Sequence, residues 1–300
     1  MADRDRTPGG VLKLLAFATF WGWLVVRWVN DWTGGILLPV GEPLLPVDTI
    51  TAIGATFAGT PIGGFFETLA FIAPFLPRLA GGVWLTVILT VGGIALGFVI
   101  AVPLAATRVY GHYTRYVALA YIELIRGTPL LAQLFVLYYG TTLSIVIREL
   151  PGIGQGIVPP QAVWVALIGF TINSAAYQAE YIRGAIQSVD PGQLRAARAI
   201  GLDQLSGIRY VVMPQALRYA IPGWSNELIY LIKYSSLAAF ITVPELFNRA
   251  NSIASSNFRY TTLFVTAGLI YLCIVLTASN IMSRVEDAVA IPGLSVSEGR

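Results

Sequence analysis

Residues 83–107 read VWLTVILTVGGIALGFVIAVPLAAT, 25 positions without a charge. At 1.5 Å per residue a helix of that length covers about 37 Å, more than the roughly 30 Å of a bilayer's hydrocarbon core. The stretch therefore reads as a transmembrane helix. Gly93 and Gly97 within it have the spacing that lets two helix backbones approach closely; incidental small residues in a chain with 30 glycines are the other reading. The whole chain has the same character. Of 300 residues 56% are hydrophobic and 12% charged, with a mean hydropathy of +0.70, whereas about a quarter of a soluble domain is charged. An all-α integral membrane protein with several spans is the class these totals allow.

Working outward, further apolar runs cover about Val117–Ile147, Ala162–Ile186, Ala220–Val243 and Tyr260–Met282. Near the start, Arg4, Arg6 and Lys13 precede an apolar run from Leu14, an order shared with secretory signals. That run continues through Arg27 to Val29, carries Trp21, Trp23 and Trp28, and is followed by no obvious small-residue cleavage site. It reads as a retained first span, with Lys13 and Arg27 snorkelling at its ends. Six transmembrane helices are thus predicted. Asn30–Thr60, rich in Gly, Pro and Thr and without a sustained period, reads as a linker, and Phe65–Leu79, interrupted by Glu67, Pro74, Pro77 and Arg78, as an interfacial helix.

Orientation follows from the basic residues. With the N-terminus inside, twelve Lys and Arg fall on the cytoplasmic side and five outside. The organisation expected is a cytoplasmic N-terminus over 1–10, an extra span over 11–29, an extracytoplasmic linker and interfacial helix over 30–76, a transmembrane domain over 77–285 and a cytoplasmic tail over 286–300.

Between two spans lies the polar stretch DPGQLRAARAIGLDQLSGIRYVVMP, Asp190–Pro214. Asp190 suits a helix cap, Pro191 the first helical position, and Gln193 can reach back to the cap. Gly201 supplies a left-handed stop, and Asp203 can begin a second short helix ended by Pro214. The basic-residue count puts this helical elbow in the cytoplasm, where a partner would hold it.

Charges within spans are costly unless paired or wet. Glu123 with Arg126, and Glu180 with Arg183, are three apart and read as pairs within one helix. Glu227 and Lys233 point about 120° apart on a helix, so Lys233 needs a partner on another helix or a wet cavity. Asn173, Tyr177, Glu180 and Gly184 share a helix face, which suits either a path for a hydrophilic solute or hydrogen bonds between helices. Lys233, Tyr234, Ser235 and Ser236 suit a carboxylate ligand, or else a gate or kink whose hydroxyls satisfy their own backbone.

Several functions are excluded by what the chain lacks. One Cys (Cys273) and one His (His112) give zinc sites and Cys/His or Ser-His-Asp catalysis almost nothing to build from. The scattered basic residues and net charge of +3 do not support nucleic-acid binding. A P-loop needs a Gly-Lys pair, and neither Lys13 nor Lys233 follows a glycine. If ATP drives this protein, another subunit hydrolyses it.

Ordered motifs now carry a resemblance. They are Arg126-Gly127-Thr128-Pro129-Leu130-Leu131; Asn173-Ser174-Ala175-Ala176-Tyr177 with Glu180, Arg183 and Gly184; Gly192-Gln193 through Ala196-Ala197 to Gly201-Leu202; Met213-Pro214-Gln215-Ala216-Leu217-Arg218; Lys233-Tyr234-Ser235-Ser236-Leu237; and Glu245-Leu246. The chain resembles the permease subunits of type I ABC importers, in particular the polar amino-acid uptake family that includes the histidine and glutamine permeases. The likeness covers roughly Pro77–Val285; the first span and linker look like an addition to the family's five-helix core.

The resemblance implies a coupling helix over 190–202, with Gly192, Arg195, Ala196, Ala197 and Gly201 at the contact with a separate ATP-binding cassette subunit that holds ATP and Mg. It also implies a second permease subunit, an extracytoplasmic solute-binding protein, and multi-pass placement in a prokaryotic cell membrane. No cofactor is implied for this chain. An acidic residue usually precedes the two alanines, and here Arg195 stands in its place, reversing the sign of that contact. The expected solute path holds Asn173, Tyr177, Glu180, Lys233, Ser235 and Ser236. A secondary transporter or channel using Glu123, Glu180 and Lys233 is the rival reading, and it leaves the elbow without a task.

Overall fold

The computed structural model describes residues 8–156 and 158–289, and among them every regular element is helical. Helix α1 (Pro8–Trp32) is followed by a helical hairpin, α2 (Val47–Thr56) and α3 (Pro61–Ile72). A short 3-10 turn, Ala73–Phe75, joins α3 to α4 (Leu76–Tyr110). Then come α5 (Thr114–Arg126), α6 (Leu130–Tyr139), α7 (Leu143–Glu149) and α8 (Gln161–Ser188). The elbow holds α9 (Pro191–Ala199) and α10 (Gln204–Gly207), and α11 (Met213–Tyr234), α12 (Leu246–Asn257) and α13 (Tyr260–Val289) complete the chain.

Three helical stretches among the described residues are long and apolar enough to cross a membrane: Pro61–Tyr110, Gln161–Ser188 and Tyr260–Val289. Two bent pairs bring the total to five if each counts as one span: α5 with α6, and Gln204–Ile241 with α12. The expected first span lies on α1, which is not among these stretches.

The centre of the bundle is the α4–α8 pair. Gly93 and Gly97 both face α8: a Cβ at Gly97 would lie 3.1 Å from the Ala175 amide nitrogen and 2.9 Å from Gln178 Nε2. The close-approach reading of these glycines therefore describes the packing. Gln178, buried, donates to the Ile94 carbonyl at 2.9 Å and to Ser174 Oγ at 2.8 Å, so both its N–H donors are used without water. Leu89, Phe170 and Leu231 fill the core around this contact.

The expected continuous span over 117–147 is corrected. The chain turns by 99° between α5 and α6 and again enters α7. The cause is local: Ile125 O would accept from the N–H of residue 129 in a continued helix, and residue 129 is proline. The Gln133 side chain takes over, with Nε2 2.7 Å from Ile125 O and 3.1 Å from Thr128 O.

Three further expectations change. Arg27 does not snorkel to water: it is 0% exposed, pairs with Asp31 at 2.5 Å and donates to the Glu42 carbonyl, because the linker folds back over it. The linker is not irregular throughout, since α2 forms within it. Nor does the helix after Asp203 stop at Pro214. A π-helical turn over Ile208–Val212 carries it into α11, and Pro214 is the second residue of α11.

Gly97→Leu is expected to force α4 off α8 and to lower the midpoint of thermal unfolding in detergent by several degrees, an overpacking cost of about 1–3 kcal/mol. Gly81→Leu, where a side chain meets open space, should leave the midpoint unchanged. Gln133→Met leaves the Ile125 carbonyl only the long 3.4 Å bond from Thr128 Oγ1 and removes the Asn173 partner, and should cost about 1–3 kcal/mol in the same assay, despite its similar volume.

Candidate functional site

A cleft of about 400 Å³ opens at the 99° bend. Arg126, Gly127, Thr128 and Pro129 form one wall, Asn173 and Tyr177 of α8 another, and Tyr234 and Leu237 at the end of α11 a third. The geometry starts with Gln133. Its Nε2 holds the broken helix end and also lies 2.9 Å from Thr128 Oγ1, while its Oε1 accepts from Asn173 Nδ2 at 3.0 Å. One amide thus ties the bend to the central helix. The Arg126 guanidinium lies over the Tyr177 ring, 5.3 Å from its centroid. An exposed cation, a buried carboxamide and several hydroxyls therefore surround one space. Such a set can hold a carboxylate and a polar group of the same small molecule.

The residues expected to line a path are partly brought together. Asn173 serves both readings of its face, bonding between helices and bordering the cleft. Tyr177 lines the cleft. Glu180 turns to Arg183, whose Nη2 is 2.8 Å from its carboxylate and whose Nη1 donates to Gln187. Gly184 is exposed at the far end of the stripe.

Lys233, expected to find a partner on another helix or a wet cavity, is exposed, 4.7 Å from the Tyr230 ring centroid on its own helix, and makes no ion pair with another helix among the described residues. Ser235 donates to the Ile232 carbonyl at 2.7 Å and Ser236 to the Lys233 carbonyl at 2.9 Å. These hydroxyls satisfy the backbone where α11 tightens into a 3-10 turn, Ser235–Ile241. The pairing expected of Glu123 and Arg126 is corrected as well: Glu123 is exposed, no ion pair joins the two, and Arg126 turns to Tyr177.

Sequence reasoning passed over Thr128 and Gln133 as site residues, whereas Tyr234 already stands in the polar cluster that begins at Lys233. The Arg126-to-Leu131 motif contained the signal for the first two, since a Gly-Thr-Pro interruption inside an apolar run marks a helix break whose freed groups need a polar neighbour.

The elbow is built much as its caps required. Asp190 Oδ1 accepts from the Gly192 amide at 2.7 Å, Gly201 adopts φ +93°, and Asp203 accepts from the Ser206 amide at 3.3 Å. The Ser206 hydrogen bonds hold the Asp203 carboxyl below its usual range. Among the candidate contact residues Arg195, Ala196 and Gly201 are exposed and Gly192 is half-buried. Ala197 is buried against Gly207 instead. Ile200, 81% exposed, and Leu205 stand out on this otherwise polar segment. No cluster of three or more metal-ligating His, Cys, Asp or Glu occurs among the described residues.

Comparison with known proteins places this architecture. The sequence model of the binding-protein-dependent transport system inner membrane component family matches residues 93–291. The octopine transport system permease protein of Rhizobium meliloti is 37% identical over 225 residues, 74% of this chain and 89% of its own length. The glutamine transport system permease protein of Escherichia coli K12 is 36% identical over 221 residues, 73% of this chain and 96% of its own. Among solved structures, an amino acid ABC transporter determined with histidines aligns with a TM-score of 0.62 and 33% identity, covering 74% of this chain and 98% of that one. The MetNI methionine ABC transporter, at 22% identity and a TM-score of 0.61, shares the fold. On the matched span, the identities and the bundle, this chain belongs to the binding-protein-dependent transport system inner membrane components, the permeases of type I ABC importers.

Proposed function

We propose that this chain is the permease subunit of an ATP-driven importer of polar amino acids, with the cleft at the α5–α6 bend on its translocation path. The cleft carries the reading: Arg126 faces the surroundings of Asn173, Thr128, Tyr177 and Tyr234 where a helix is interrupted. A guanidinium presents a planar fork of donors that matches a carboxylate, and the neighbouring amide and hydroxyls suit a polar side chain. The anion therefore meets Arg126 rather than Lys233 and Ser235. A glutamine permease among the relatives and an amino acid transporter among the solved structures support this substrate class.

The chain sits in the cytoplasmic membrane of a prokaryote with both termini inside, and α1 is its sixth span. Lacking a P-loop, it takes its energy from a separate ATPase subunit that binds ATP and Mg. The elbow is the coupling element, with α9 as the coupling helix. Exposed Ile200 and Leu205 among Arg195, Arg198 and Arg209 form an apolar surface with a basic border, suited to a groove on a soluble partner. Because Ala197 faces inward, the share of that surface around α9 is Arg195, Ala196, Arg198 and Ile200. A second permease subunit closes the pathway, and an extracytoplasmic binding protein delivers the solute.

In proteoliposomes holding the assembled complex, Arg126→Ala is expected to lower amino-acid uptake on the order of tenfold or more, about 1.4 kcal/mol per decade, while basal ATP hydrolysis stays within about twofold. Equal loss of both rejects the substrate role. Lys233→Ala should reduce uptake less than Arg126→Ala. On the elbow, Ile200→Asp should weaken retention of the ATPase subunit during purification by at least about tenfold. Full retention would place the contact elsewhere.

A further inference from the structure

The α2–α3 hairpin lies outside the family match at 93–291 and packs almost entirely within itself. Gly54 of α2 lets the chain approach Phe66 of α3, and Thr60 caps α3 by accepting from the Gly63 amide at 3.2 Å. It is a formed element. Ile53 on α2, Phe57 just after it, and Ile62 (54% exposed) and Phe65 (63% exposed) on α3 leave large apolar side chains exposed on both arms.

Its height follows from helix geometry. Pro61–Tyr110 runs as one 50-residue helical stretch, about 75 Å long, against about 40–45 Å for a bilayer with its headgroups. The basic residues on this rod are Arg78 and Arg108, thirty residues or about 45 Å apart, which matches the two headgroup layers. Pro61 then lies about 25 Å further out along the rod. The hairpin clears the membrane on the side opposite the elbow. Its root is held near the mouth of the bundle, where the Arg259 guanidinium, just before α13, lies 4.5 Å from the Phe71 ring centroid.

The charges select among occupants. From Trp28 to Pro77 the chain carries Asp31, Glu42, Asp48 and Glu67 and no Lys, Arg or His. Asp31 is taken by Arg27, and the other three acids are exposed. Peripheral membrane helices rely on cations facing anionic headgroups, and this hairpin has none. A second hairpin would bring acids against acids. An apolar surface with an acidic border in water fits a protein with an apolar patch and basic surroundings.

We propose that the α2–α3 hairpin is a docking arm for the extracytoplasmic solute-binding protein of this importer, seating Ile53, Phe57, Ile62 and Phe65 on an apolar patch with Glu42, Asp48 and Glu67 facing basic side chains. The proposal rests on the permease reading and adds a contact surface beyond the family's matched span.

The test uses the full complex in phosphatidylcholine vesicles with its purified binding protein as the probe. The double variant Ile62→Glu, Phe65→Glu is expected to raise the binding-protein concentration for half-maximal stimulation of ATP hydrolysis on the order of tenfold, with basal hydrolysis unchanged. The double variant Asp48→Lys, Glu67→Lys should also raise it and should flatten its salt dependence, a change that a purely structural defect would not produce. An unchanged half-maximal concentration in both variants overturns the docking role while leaving the permease reading intact. Failure of the wild-type complex to respond to binding protein at all counts against the permease reading instead. A fluorophore on the thiol introduced by Phe65→Cys, in a Cys273→Ala background, reports the rival occupants. Quenching by brominated lipid assigns the surface to the bilayer and overturns the proposal, as does a disulfide between the introduced thiols of two unlabelled permeases.

Discussion

Lipid supplies no hydrogen bonds, so every break in a membrane helix has to be repaired by the protein itself. In this chain the decisive repair is the Gln133 amide. Pro129 leaves the Ile125 carbonyl without its helical donor, and Gln133 Nε2 replaces that donor at 2.7 Å. The same side chain reaches Asn173 on α8, so the bend is fastened to the most buried helix of the bundle. The cleft is a consequence. A straight helix over 117–147 would have distributed Arg126, Thr128 and Leu131 around one cylinder; the break gathers all three around the space that Tyr177 and Tyr234 also line.

The second bent pair is repaired with the opposite chemistry. After the 3-10 turn, Thr242 adopts a left-handed φ of 67°, and fully buried Glu245 begins α12. Its carboxylate accepts from the Phe247 and Asn248 amides at 2.9 and 2.7 Å, and the Tyr271 hydroxyl donates to it at 2.6 Å. A donor side chain answers a freed carbonyl at the first break, and an acceptor answers freed amides at the second. The Glu245-Leu246 motif is therefore structural here, with Leu246 backbone pressed so close to Gly82 that a Cβ there would lie 2.8 Å from Leu246 Cα.

Hydropathy makes α4, α8 and α13 legible, because an uninterrupted apolar run in a helix reports directly on the solvent around it. Cap chemistry makes α9 legible for a similar reason: Asp190 and Gly201 act on neighbours a few residues away. What stays hidden depends on contacts far along the chain or on competition between them. Its angle from Glu227 asks that Lys233 find a partner on another helix or a wet cavity, and the side chain lies exposed over the Tyr230 ring three residues earlier. The polar cluster after it divides, Ser235 and Ser236 turning to backbone while Tyr234 reaches the cleft. Periodicity assigns a face to each side chain, but it does not say which of two hydrogen-bond partners wins.

Arg27 shows the same limit with a larger energy at stake. A buried arginine loses its hydration and persists only with partners on all sides. Asp31 and the Glu42 carbonyl are two of them, and the second comes from the linker. Beside it Asn30 accepts from the Leu37 and Leu38 amides and donates to the Leu38 carbonyl. Residues 30–42 are thus folded onto the end of α1, which in turn is fixed to the bundle through Trp28 Nε1 on the Ala80 carbonyl and Trp21 Nε1 on Thr277. The hairpin enters from this anchored turn and leaves through the root held by Arg259 and Phe71. Both of its ends are therefore positioned by the bundle, and a surface held in that way costs a partner little ordering entropy on binding.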